Sequence, residues 1–123
     1  MTPPEPLPQP SHGEIWQVDW SPGRGSEQTG LRPTLIVQND QGNHSPGYSN
    51  AIVVAVSTKG RDIPFHVFVP ASRINSLTAD SYAKCEQLLT ISKARLVGHR
   101  LGRITNEQMA QVIEALKRSL AIP

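Results

Sequence analysis

The sequence predicts a mainly β domain with one α-helix: a small, strongly bent antiparallel sheet or barrel closed by a C-terminal amphipathic helix. Two observations carry this. Short apolar runs separated by turn-rich stretches fill the chain from Gly13 to Ile104. Beyond them, Met109, Val112, Ile113, Leu116 and Leu120 recur at helical spacing. A chain of 123 residues, 37% hydrophobic and 18% charged, suits one soluble core.

Each element has its own signal. Residues 1–12 carry Pro3, Pro4, Pro6, Pro8 and Pro10 and can form neither helix nor ladder. A disordered tail is expected there, with a proline-rich recognition peptide as the alternative. The domain is expected over residues 13–123. Trp16, Val18 and Trp20 alternate with Gln17 and Asp19 in a first strand. Ser21–Gly30 reads as a loop, Thr34–Gln38 as a short buried strand, and Asn39–Asn50 as turns. Ala51–Val56 is apolar throughout and reads as a strand covered on both faces, followed by a basic turn at Thr58–Asp62 around Gly60. Pro64–Val69, Leu88–Ile91 and Val97–Ile104 supply the remaining strands. Thr105 with Gln108 is a capping-box signature, and Lys117 and Arg118 suit the negative end of the helix dipole.

Composition excludes several function classes. No apolar run approaches the roughly 20 residues of a bilayer-spanning helix. The N-terminal residues show neither a basic nor an apolar leader region, so a cytoplasmic protein is expected. A single cysteine, Cys85, forms no internal disulfide and reads as a small buried hydrophobe. His12, His44, His66 and His99 are scattered without ligand spacing, so neither a metal nor another cofactor is expected. No glycine-rich loop opens a helix, which excludes Walker-type or dinucleotide phosphate binding. The net charge of +2 is compatible with a polyanion held at a few focused contacts.

What remains is Gly25–Pro33, with Glu27 and Arg32 around a polar loop, and the polar end of the buried strand at Ser57, Thr58, Lys59 and Arg61. A guanidinium beside rigidly held hydroxyls suits a phosphate. A surface ion pair and a solvated strand end are the bland alternative.

Gly13-Glu14-Ile15-Trp16, Gly25–Pro33, Leu35–Asp40, Ala51–Thr58, Cys85-Glu86-Gln87-Leu88 and the C-terminal helix together resemble the MazF/PemK family of toxin endoribonucleases. The resemblance runs from Gly13 to Ile122 and is most specific through Arg32-Pro33. It implies an SH3-like barrel, a homodimer, metal-independent cleavage of single-stranded RNA, and inhibition by a partner antitoxin. Arg32 matches the family's catalytic arginine. Ser57 stands where a catalytic threonine is usual, with Thr58 one place further on, so either hydroxyl can serve. Glu27 matches the acidic residue beside the site and Gln28 its polar neighbour. Glu86 and Gln87 match a segment implicated in RNA contact. Gln28, Asn39, Glu86 and Gln87 are candidate base-edge readers, and Lys59 and Arg61 candidate phosphate contacts. Two rivals share the implied fold: a gyrase-poisoning toxin of the CcdB type, whose C-terminal tryptophan this chain lacks, and a non-catalytic SH3-like binding module.

Overall fold

The computed structural model describes residues 6–21 and 30–123. Six strands form one antiparallel sheet: β1 (Glu14–Asp19), β2 (Leu31–Ile36), β3 (Asn50–Ser57), β4 (His66–Val69), β5 (Ser81–Ser92) and β6 (Leu96–Arg103). Their order is β4-β5-β3-β2-β1-β6. The ladder does not close on itself. Its two edges meet instead through the loop between β4 and β5, where Arg103 N–H donates to Ile74 O at 2.9 Å. Gly102 makes that approach close enough only because it lacks a Cβ: one built there would overlap Ile74 O and lie 2.7 Å from Asn75 C.

Alternation assigns each face a core. Ile15, Leu35, Val54, Val56, Val67, Val69, Ala83 and Cys85 pack with helix α2 (Asn106–Ser119) through Met109, Val112 and Ala115. The intervening residues Trp16, Val18, Ile36, Val53 and Ile91 build a second cluster with Trp20 and Leu96. Strand β1 is therefore buried on both sides, not only along its tryptophan face.

Helix α2 starts with the expected capping box: Gln108 N–H donates to Thr105 Oγ1 and Thr105 N–H to Gln108 Oε1. Its buried face differs from the expected stripe. Ala115 lies in the core, while Ile113 and Leu120 are exposed. The face that meets the core is centred on Met109, Val112 and Ala115, which leaves Ile113 at its margin.

Several boundaries also move. Strand β2 begins at Leu31 rather than Thr34, so Arg32 and Pro33 are strand residues. Pro64 and Phe65 form a turn, closed by His66 N–H to Ile63 O, so β4 begins at His66. Strand β5 spans twelve residues where only Leu88–Ile91 was expected. Within Asn39–Asn50 lies a one-turn helix, α1 (Asp40–Asn43), capped by Asn39 Oδ1 accepting from Gly42 N–H at 2.8 Å.

Behind α1, Asn43 is fully buried and exchanges bonds with Gln38, whose amide reaches Asn50 O. Lys93 is 1% exposed and donates to Gly42 O and Ser45 O at 2.9 and 3.2 Å. Burial holds its ammonium below the usual lysine range. In the proline-rich segment, residues 6–12 include no helix or strand, yet Pro10 is buried. Ser11 and His12 donate backbone N–H groups to Glu14 and Asp40 at 2.6 and 2.7 Å. Packing thus reaches three residues upstream of the expected boundary at Gly13.

Candidate active site

A cleft opens where β2 and β3 part. They pair only over Thr34↔Ala55, Leu35↔Val54 and Ile36↔Val53. Pro33 carries no N–H and cannot extend that ladder toward β3. Carried two steps further, the same register would set Arg32 opposite Ser57, and opposed residues of an antiparallel pair share a face. The gap left by the missing rungs is a cleft of about 510 Å³, with Arg32, Pro33, Val56, Ser57, Thr58 and Lys59 in its wall.

Both sides are held rigidly. Val18 and Gln17 of β1 pair with Arg32 and Pro33. Beneath them the buried Thr34 donates its hydroxyl to Arg32 O at 3.2 Å and accepts from Trp20 Nε1 at 3.1 Å. Ser57, the last residue of β3, pairs with Tyr82 and accepts Lys59 N–H on its Oγ at 3.1 Å. Thr58 is exposed beyond the strand end. The basic turn that follows is pinned twice. Gly60 lies against the Tyr82 ring so closely that a Cβ would overlap it. Arg61 N–H donates to His66 Nδ1 at 3.0 Å. With Nδ1 accepting, the His66 proton is on Nε2, which meets the Glu86 carboxylate at 2.7 Å; the histidine side chain is 5% exposed.

The far wall comes from β5 and the loop before it. Val54 pairs with Leu88 but Ala55 with Lys84, so Cys85, Glu86 and Gln87 form a bulge. The bulge sends Cys85 into the core and Glu86 to His66, while Lys84 and Gln87 line the cleft. Ser76, Leu77, Thr78 and Ala79 complete it from the β4–β5 loop. There Asn75, buried, ties Ser72 N–H, Leu77 N–H and Pro70 O together, and Ser76 adopts a left-handed φ of 56°.

Of the residues expected to form a site, Arg32, Ser57, Thr58, Lys59 and Gln87 come together on this cleft. Glu27 and Gln28 lie outside the described residues. Asn39 does not join them: it follows the opposite end of β2 from Arg32 and spends its side chain capping α1. Arg61 and Glu86 are exposed and do not line the cleft; the Arg61 backbone N–H and the Glu86 carboxylate both bond His66. Sequence reasoning missed Gln17, Lys84, Ser76 and Thr78. Gln17 and Lys84 alternate with buried neighbours on their strands, a signal that marks an outward face without saying what the face meets.

Among the described residues no three His, Cys, Asp or Glu side chains gather as they would around a metal ion, and no helix is long and apolar enough to cross a membrane. Cys85 is buried, and desolvation followed by the nearby Glu86 charge pushes its thiol up to about 12, which makes it a poor nucleophile.

Residues 11–120 match the family described as PemK-like, MazF-like toxin of type II toxin-antitoxin system. The chain belongs to that family. Relatives include the endoribonuclease EndoA of Bacillus subtilis, 40% identical over 111 residues that cover 89% of this chain and 93% of the relative. The endoribonuclease MazF9 of Mycobacterium tuberculosis is 38% identical over 112 residues, covering 88% and 93%. A solved mycobacterial endoribonuclease in complex with its cognate antitoxin superposes with a TM-score of 0.74 at 28% identity, covering 93% of this chain and 97% of that one. The six-stranded sheet and C-terminal helix are thus the PemK/MazF-like fold.

Proposed function

We propose that this PemK/MazF-like toxin is an endoribonuclease that cuts single-stranded RNA in the cleft between β2 and β3, without a metal ion. The observation that carries the proposal is the splitting of those strands beside Pro33, which leaves Arg32 and Ser57 on one cleft wall. The nucleophile is the ribose 2′-hydroxyl. It attacks the adjacent phosphorus, the bond to the 5′-oxygen breaks, and the products are a 2′,3′-cyclic phosphate and a 5′-hydroxyl end.

Arg32 supplies bidentate donors for the charge that grows on the phosphoryl oxygens. A guanidinium is a donor-only cation, so Arg32 stabilises charge rather than removing the proton. Ser57 is the working hydroxyl. Its oxygen is held by Lys59 N–H, and its own proton is directed to a phosphate oxygen. Glu27, outside the described residues, is the candidate base or the orienter of Arg32. Lys59 and Lys84 add cationic contacts to the backbone. A duplex would fit badly, because in-line attack needs a nucleotide splayed out of A-form geometry. The same reading takes the protein as a homodimer neutralised by a partner antitoxin that occludes the basic cleft.

The test incubates labelled mixed-sequence RNA and its DNA counterpart with wild type and Arg32→Ala in EDTA. RNA alone should be cut, and the variant should lose about 10²–10³ in rate. Cutting of DNA, or an Arg32→Ala variant near the wild-type rate, refutes the assignment.

A further inference from the structure

Among the described residues, Gln17 Oε1 is the one buried side-chain oxygen or nitrogen without a hydrogen-bond partner. Buried polar atoms are paired as a rule, and an orphan asks for a reason. Its place in the fold supplies one. On one side Gln17 stands opposite Pro33. On the other the register with β6 jumps from Trp16↔Arg100 to Gln17↔Val97, a bulge that leaves Gly98 and His99 without partners in the ladder. Gln17 lines the cleft with Arg32 and Ser57, so the open acceptor belongs to a residue of the site itself. An apolar side chain of similar shape would fill the same space with no orphaned atom.

We propose that Gln17 is a substrate-reading residue whose Oε1, once the side-chain amide turns into the cleft, accepts a hydrogen bond from an N–H or O–H donor of a nucleotide flanking the cut. The inference rests on the reading of this cleft as an RNA-cutting site and adds to it a recognition contact. Two parts of a nucleotide offer such a donor: the base, through an exocyclic amine or ring N–H, and the ribose, through its 2′-hydroxyl. Bound RNA then completes the hydrogen bonding that the free protein leaves open, and a nucleotide without the donor forgoes that gain.

The experiment pairs Gln17→Met with a series of cleavable RNAs. In the series each flanking nucleotide in turn carries either a base analogue lacking its N–H donor or a 2′-fluoro group; the nucleotide supplying the nucleophile is left intact. Gln17→Met should melt no lower than wild type, since it removes an unpartnered oxygen. Its kcat/KM on unmodified RNA should fall by about threefold to tenfold, the size of one neutral hydrogen bond. Wild type should show a matching loss on one analogue, and Gln17→Met should be indifferent to it. A base analogue giving that pattern places the donor on the base; a 2′-fluoro nucleotide places it on the ribose. Should Gln17→Met not fold, Gln17→Ala carries the same comparison. A wild type that cuts RNA but ignores every analogue overturns this inference alone, as does a variant that responds as wild type does. A wild type that neither cuts nor binds RNA overturns both this inference and the function it rests on.

Discussion

Replacing Gly102 with alanine tests how the open sheet is braced. The new methyl would overlap Ile74 O and come within 2.7 and 2.8 Å of Asn75 C and Cα. These are backbone atoms, so no side chain can rotate aside. Either β6 moves off the β4–β5 loop or the loop moves off β6. Overpacking of this kind costs about 1–3 kcal/mol. Losing the Arg103 N–H to Ile74 O bond adds about 0.5–1.5 kcal/mol. A total of about 2–4 kcal/mol, at about 4 °C per kcal/mol for a domain of this size, lowers Tm by roughly 8–16 °C. Leu101, next along β6, and Ser76–Ala79 of the same loop line the cleft, so activity per folded molecule should fall as well. Thermal unfolding followed by circular dichroism, with cleavage assayed well below the transition, measures both. Gly47→Ala is the control, because nothing lies within 4 Å of a Cβ there. A Gly102→Ala protein that melts within about 2 °C of wild type and cuts normally would refute the claim that this contact braces the edges.

Two further outcomes follow from buried groups. With its thiol pushed up to about 12, Cys85 should resist a thiol-specific reagent at pH 8 in the native protein and react when urea unfolds the chain; stoichiometric labelling of folded protein would contradict its placement in the core. The Lys93 ammonium is held below its ordinary 10.5 by burial, so near that pH the unfolded chain binds more protons than the folded one. Its contribution to stability must therefore rise as pH climbs toward 10.5. Urea unfolding at pH 8 and pH 10 should show that rise in wild type and a smaller one in Lys93→Met; identical pH dependence in the two proteins would count against a buried, strained ammonium.

Much of the fold was legible in the sequence because its signals are local. The Thr105–Gln108 capping box, the apolar run of β3 and the alternation of β1 each depend on neighbours a few residues away. The start of β5 was hidden because Ser81, Ala83 and Cys85 are small or weakly apolar, and the bulge at Cys85–Gln87 breaks the alternation a strand should show. The exposure of Ile113 was equally hidden, since periodicity gives a stripe but not the depth at which a helix seats. For the site, the residue types of Arg32 and Ser57 and a family resemblance pointed to the same cleft. Their placement on one wall was not legible, for it depends on where two distant strands stop pairing. Nor was Gln17: only a buried, unpartnered oxygen on a cleft-lining residue separates it from any other polar residue on a strand.

The central claim is that the substrate's own 2′-hydroxyl breaks the phosphodiester in the Arg32–Ser57 cleft. The most direct measurement takes an RNA that the protein cuts at one bond and replaces the single 2′-hydroxyl beside that bond with hydrogen. Cleavage there should vanish while the modified RNA still binds and competes, and the products of the unmodified strand should end in a 2′,3′-cyclic phosphate. Cutting of the 2′-deoxy substrate at the same bond and a similar rate would contradict the account.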